Sequence, residues 1–353
     1  MPVGQYMQVG GLSYVAIGRE TTLGTYSTCT AALDCLSASL MTSQDTKVLE
    51  QIERTRTFSK RISLMKKIAG DLEFYFVPQM PACGYVLQAA FGGAITSATA
   101  TGETAGAGAS SAMAHTFAIG NMNDQSYPSL CVNIRKGDAT NGKVFNYSGV
   151  RVNQISFQSN IDDALKCSVS LLGMDSTQVS NDVSAALGIT STSHLSFVDG
   201  RVSVETSAAS LTSTSFWHVQ SVEFGWGNGL KADADAGRIG SQIITTLNPG
   251  MVQPSLKCKI RFDTTTAFAA MIAATKLSVE AQFQGPTMTG SAIRQGLKFT
   301  FPTVYIANAG DPSIGGPDQP LTSDVEFQVL RDDTTSTGYL VQGVLTNQTA
   351  SWA

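Results

Sequence analysis

Residues 153–173 read NQISFQSNIDDALKCSVSLLG, and apolar and polar side chains alternate on both sides of a short break. Ile155 and Phe157 alternate with polar neighbours, and after Asn160–Asp163 the pattern resumes at Leu165, Cys167, Val169 and Leu171. A period of two sends successive side chains to opposite faces of a pleated strand, so this stretch predicts a β-hairpin with one apolar and one polar face. Similar runs return at WHVQSVEFGW (217–226), SLKCKIRF (255–262), KLSVEAQF (276–283), GLKFTFP (296–302), DVEFQVLRD (324–332) and GYLVQGVLTN (338–347). DLEFYFVP (71–78), HTFAI (115–119) and SLCVNIR (129–135) add strands in the first half. Helices are few: Ala82–Phe91 before Gly92-Gly93, and 264–275 behind Asp263 as N-cap. The fold class predicted is mainly β, a sandwich or barrel with short flanking helices.

Such a chain has strand edges to cover, and its composition bears on how. Only 14% of the 353 residues are charged, against about 25% in an average soluble domain, and Gly, Ala, Ser and Thr fill the difference. A surface poor in charge suits strands that pack against neighbours, as in shells and filaments. Net charge is −4, so no general grip on a phosphate backbone is expected. Six cysteines at 29, 35, 83, 131, 167 and 258 show no C-x-x-C spacing. They read as reduced thiols, with Cys29 and Cys35 the one pair near enough in sequence for a local disulfide. The start, MPVGQYMQVGG, has no basic and then apolar leader pattern, and no apolar run approaches the ~20 residues of a membrane span. The expectation is a soluble chain made in the cytosol, with no membrane partner.

Chemistry is sparse. His115, His194 and His218 have no G-x-S-x-G or H-E-x-x-H context and read as structural. GWGNG (225–229) and IGGP (314–317) lack phosphate-loop spacing and read as turns. ADADAG (232–237) alternates Asp233 and Asp235 but lacks the rest of a calcium loop. Asp162 and Asp163 are good turn residues rather than an acid pair. Arg54, Arg56, Lys60, Arg61, Lys66 and Lys67 form the one charge cluster, read as a solvated or subunit-facing strand surface. The expectation is no catalytic residue, no cofactor and no metal: a protein that is not an enzyme.

The organisation expected is an arm at 1–45, a β domain at 46–175, a Ser/Asn/Thr-rich linker at 176–214 and a second β domain at 215–353. The second half echoes the first. Leu72 and Leu256 lie 184 residues apart, Phe117 and Phe299 lie 182 apart, and Leu130 and Val325 lie 195 apart. A near-constant period indicates a duplicated unit. GAITSATATGETAGAGASSAMA (93–114) reads as a low-complexity loop.

GRETTLGTY (18–26), the strand–helix unit ending in FGGA (91–94), YSGVRVNQISFQSNIDDALKCSVSLLGMD (147–175), VEFGWGNGL (222–230) and LKFTFPTV (297–304) occur in an order that resembles the tail tube proteins of long-tailed bacteriophages. The resemblance implies a β-sandwich with a helix, assembled into stacked rings that form a hollow conduit for genome ejection. It implies as partners further copies in rings of three or six. It also implies the tail terminator, tape measure and distal tail proteins, and double-stranded DNA passing through the lumen unread. It implies a place in the virion tail after synthesis in host cytoplasm. Alternatives within phage particles are a capsid-decoration, baseplate or terminator component. A carbohydrate-binding sandwich would use Trp217, Trp226, Tyr147 and Tyr305 as its platform.

Overall fold

A computed structural model describes residues 10–350 apart from 51–56, 58–59, 93–94, 101–111, 120–126, 139, 141, 181–182, 184–186, 188–192, 212–215, 233–235, 262–265, 310–320 and 333–337. The first half holds β1 (Tyr14–Arg19), β2 (Ala31–Leu33), β3 (Ser37–Ala38), β4 (Met41–Val48), β5 (Arg61–Tyr75) and helix α1 (Pro81–Phe91). There follow β6 (Thr96–Thr99), β7 (Met113–Ile119), β8 (Leu130–Lys136), β9 (Lys143–Asn160), β10 (Lys166–Gly173) and β11 (Asp175–Val179). The second half holds β12 (Gly200–Glu205), β13 (Val219–Gly227), β14 (Gln253–Arg261) and α2 (Thr266–Ile272). It ends with β15 (Leu277–Thr287), β16 (Arg294–Ala309), β17 (Thr322–Leu330) and β18 (Val341–Asn347). The mainly-β expectation holds.

The opening hairpin is β9–β10, in register Phe157 to Cys167 and Ile155 to Val169. Its turn works because Asp162 takes a left-handed backbone, φ 66°, which Asp tolerates better than most residues. Helix α1 starts on Pro81, where no amide donor is needed, and stops at Gly92, φ 66°, whose N–H donates to the Gln88 carbonyl at 3.1 Å.

Every ladder among the described residues is antiparallel. One run of neighbours reads β4-β5-β10-β9-β13-β14-β17-β16, with β3 in line with β4 on the same edge of β5. The run curls until its far end packs on its middle. Phe299 of β16 lies 4.9 Å from Phe157 of β9 and 4.8 Å from Phe224 of β13, centroid to centroid. Phe91 of α1 closes the cluster 4.5 Å from Trp226. Such ring pairs add about 0.5–1.5 kcal/mol each beyond their burial. One hydrophobic core thus serves both halves.

Pairing in the two halves follows one plan. β5, β10, β9 and β8 are successive neighbours, as are β14, β17, β16 and β15. β1 flanks β8 as β12 flanks β15, and β11 sits on β9 as β18 sits on β16. The irregularities match too. On β9 the register with β8 shifts between Tyr147 and Val150, and the register with β10 shifts between Val152 and Gln154. On β16 the register with β15 shifts between Phe301 and Val304, and that with β17 between Ile306 and Asn308.

Several expectations need correcting. Residues 96–99, expected in a loop, form β6 and pair with Met113–Thr116, because Thr and Ala offer backbone as well as any strand does. Residues 1–45 contribute β1, β2, β3 and the start of β4, and residues 176–214 contain most of β11 and all of β12. Hydroxyl-rich composition did not prevent backbone pairing there. The spacings from Phe117 and Leu130 join unlike strands. Phe117 lies in the β6–β7 hairpin, which pairs onto β18, whereas β8 with Leu130 has the neighbours of β15. Asp263 lies outside the described residues.

The aromatic cluster yields a prediction. Phe299→Ala is expected to cost about 3–5 kcal/mol and Gln158→Ala, one residue from the core but on the opposite face, within about 0.5 kcal/mol. Urea unfolding of the two variants measures both.

Candidate functional site: a polar sheet face between two open edges

The face opposite the aromatic core is polar across seven strands. Register places Tyr75, Lys166, Gln158, Glu223, Lys257, Glu326 and Asn308 side by side in one cross-strand row. A neighbouring row runs Asn160, Ser221, Lys259, Asp324. Charges alternate in sign along both. Lys257 Nζ sits 3.0 Å from Glu326 Oε1, and Lys166 Nζ sits 2.7 Å from Glu73 Oε1, which holds that ammonium above its ordinary range. Exposed pairs of this kind are worth about 0–1 kcal/mol each and are screened by salt. Their effect is electrical balance: a wet surface with little net field.

The run of strands has two ends. At one, the outer edge of β3 and β4 has no ladder partner among the described residues. At the other, β15 leaves β16 at Val304, so Asn308 and Ala309 have a ladder partner on one edge only among the described residues, and the Ala309 amide donates instead to Met271 Sδ of α2 at 3.2 Å. In β5 the register with β4 shifts between Lys66 and Ser63, and beyond the shift Ile62 and Leu64 are 44% and 39% exposed, whereas Ile68, Leu72 and Phe74 are buried.

Within β9 a buried carboxylate ties the strand to the loop after β1. Glu20 accepts the Gly149 amide at 2.7 Å on Oε1 and the Gly24 amide at 3.0 Å on Oε2. Gly149 has φ 62°, and a Cβ there would lie 2.6 Å from Met174 Sδ, so only glycine fits. GRETTLGTY and YSGV, far apart in sequence, thus meet through one side chain. Nothing in either motif alone announced that contact.

The candidate chemical residues do not assemble into a reactive site. His115 is buried, with Nδ1 2.8 Å from Ser97 Oγ and Nε2 3.1 Å from Asn347 Oδ1 and 2.9 Å from the Thr349 carbonyl. His194 packs edge-on to Tyr75 and His218 edge-on to Phe216. All six cysteines are free. Cys29 meets Cys131 Sγ at 3.3 Å rather than Cys35, and that hydrogen bond and burial push its thiol up. Burial pushes Cys83 and Cys258 up to about 12, so they serve as small apolar residues. No group of three His, Cys, Asp or Glu suits a metal among the described residues.

Of the basic cluster, Lys66 pairs with Asp175 and Lys67 with Asp45, while Arg54 and Arg56 lie outside the described residues, as do Asp233, Asp235 and IGGP. Asp162 and Asp163 sit in the turn. Trp226 and Tyr147 are 1% exposed and offer no ring face to a sugar. Trp217 packs against Phe327.

Two predictions follow from the buried polar groups. Glu20→Ala leaves the Gly149 amide without its acceptor and is expected to cost about 2–4 kcal/mol, with Glu20→Gln intermediate, by chemical denaturation. Burial lowers the pKa of His115 from 6.5, so its neutral form is favoured by folding. That contribution is full above the unfolded value near 6.5 and is lost as pH falls and the unfolded chain protonates first. The melting temperature of wild type should therefore drop more steeply than that of His115→Gln between about pH 6.5 and pH 5.

No curated protein matches the chain. The family described as phage tail tube protein matches residues 10–329, almost the whole of the sheet structure. That match covers more than half of the chain, and the chain belongs to the phage tail tube protein family.

Proposed function

We propose that three copies of this chain close into a ring with sixfold pseudo-symmetry, each copy supplying two related sheet units, and that the rings stack into the tail tube. As a tail tube protein the chain is a structural, self-assembling component of the virion tail, part of the conduit for genome ejection. The observation that carries the three-copy reading is the recurrence of neighbours and of both register shifts, at equal separation, on β9 and β16. Chance pairing has no reason to place two irregularities alike, whereas a duplicated unit inherits them. By this reading the units span residues 14–179 and 200–347, wider than 46–175 and 215–353. The flanking strands β1, β3, β4 and β12 belong to them. The 176–214 segment then supplies the end of one unit and the start of the next.

The polar rows face the bore. Alternating charge gives passing double-stranded DNA neither a cationic clamp nor a strong repulsive wall, which suits transport without binding. The exposed Ile62 and Leu64 supply apolar surface for contact between copies. The role is mechanical and no catalytic activity is assigned. The remaining partners would meet only the tube's ends or its bore: a terminator, distal tail proteins and a tape measure. Six free thiols suit assembly in a reducing host cytoplasm. No helix among the described residues is long and apolar enough to cross a membrane.

Electron microscopy of the purified protein, with averaging of end-on views, tests the reading. Rings of three chains whose density repeats six times are expected. Rings of six chains would contradict it.

A further inference from the structure

We infer that Cys29 and Cys131 form a site at which a peroxide joins two thiols of one chain, fastening the loop between β1 and β2 to β8. The inference concerns a single copy and stands whether a ring holds three chains or six.

Local geometry brings the sulfurs together. β1 and β2 pair antiparallel, with Ile17 opposite Ala31, so the chain from Glu20 to Thr30 doubles back over the end of β1. β8 lies on the other edge of β1, with Gly18 opposite Cys131. Gly18 leaves the space that both cysteines use: a Cβ there would stand 2.8 Å from Cys131 Sγ and 3.1 Å from the Cys29 Cα. Cys29 Sγ reaches Cys131 Sγ at 3.3 Å and donates a hydrogen bond to it. A disulfide holds its sulfurs about 2.05 Å apart, so a short approach remains. Cys131 is fixed in the β1–β8 ladder, whereas Cys29 lies outside any ladder among the described residues and is the side that moves.

The two thiols are chemically unequal. The hydrogen bond from Cys29 lowers the Cys131 thiol from its ordinary range, and the same bond together with burial pushes Cys29 up. Cys131 is therefore the nucleophile and Cys29 the resolving thiol. Cys35, the more exposed sulfur, is instead pushed up to about 12 by burial. Cys29 and Cys131 are buried, but Thr28 and Thr30 on either side of Cys29 are exposed, so the pair lies one residue below the surface. That depth suits hydrogen peroxide better than a bulky disulfide. Asn133 Nδ2 donates to Tyr26 Oη at 3.4 Å and Tyr26 Oη to Cys29 Sγ at 3.5 Å, a polar line that ends at the reacting sulfurs.

In the first step the Cys131 thiolate attacks one peroxide oxygen. An S–O bond forms, the O–O bond breaks, and the departing hydroxide takes up the Cys131 proton as water. Cys29 then attacks Cys131 Sγ. An S–S bond forms, the S–O bond breaks, and the second hydroxide leaves as water with the Cys29 proton. Two thiols are oxidised and one peroxide is reduced to two waters. The cysteines lie 102 residues apart, so the bond removes much of the unfolded chain's freedom. Thiols stay reduced in cytosol, so the chain folds first and the bond closes after it meets an oxidising medium.

Peptide mapping of the full chain tests this. Native protein is exposed to hydrogen peroxide, then denatured, alkylated with N-ethylmaleimide and digested without reductant. Free thiols should fall from six to four, with a linked Cys29–Cys131 peptide lighter by two hydrogens. The melting temperature should rise by about 5 °C or more and return with dithiothreitol. Cys29→Ser should remove both the link and the rise and leave a sulfenic acid on Cys131 that dimedone traps. Six unmodified thiols, a link between any other pair, or Cys131 carried to sulfinic acid without a link would overturn the inference. A link with no rise would overturn the fastening. The mapping is done on wild type, so a Cys29→Ser chain that fails to fold leaves the test intact.

Discussion

Unpaired backbone amides and carbonyls along a strand edge are the constraint on which this structure depends. Water satisfies them only while the edge stays exposed, and an exposed edge will add any strand that presents itself. The chain meets the constraint at its centre by joining β9 to β13 across the boundary between its halves. At its ends the outer edge of β3–β4 and the last residues of β16 have no ladder partner among the described residues, although side chains reach them: Tyr147 Oη and Lys136 Nζ donate to the Leu40 carbonyl, and the Ala309 amide donates to Met271 Sδ.

The two faces of the sheet divide the remaining work. Phe157, Phe224, Trp226 and Phe299 cluster on one face, where Trp226 and Phe299 also meet Phe91 of α1, and together they lock the curl of the sheet. Lys166, Glu223, Lys257 and Glu326 on the other alternate in charge along one row. A period of two makes the division automatic: a residue cannot move to the other face without a register slip that would move the whole strand. The Glu20 carboxylate performs a different task, fixing the loop before β2 to the bend of β9 at Gly149.

Much of the fold was legible in the sequence, because alternation is a local signal. The β9–β10 hairpin, the Asp162 turn, α1 with its Gly92 stop and most second-half strands lie where the pattern puts them. What alternation cannot report is which strands are neighbours. β6 and the segments around β1, β3 and β12 were hidden because Ser, Thr, Ala and Gly carry little pattern, although their backbones pair normally. Leu72 and Leu256 do lie on strands with like neighbours, β5 and β14. The spacings from Phe117 and Leu130 join unlike strands, because the β6–β7 hairpin adds residues between β5 and β8. The polar row was half visible, since each strand showed its polar face, but the alignment of Lys166, Glu223 and Glu326 exists only once the ladders are formed.

Backbone hydrogen exchange reports directly on whether neighbouring copies complete the sheet. Amides of residues 37–43 that point away from β5 should exchange freely in the monomer and become protected in assembled tubes, while those of residues 221–227 stay protected in both. Equal exchange at residues 37–43 in monomer and tube would contradict the account.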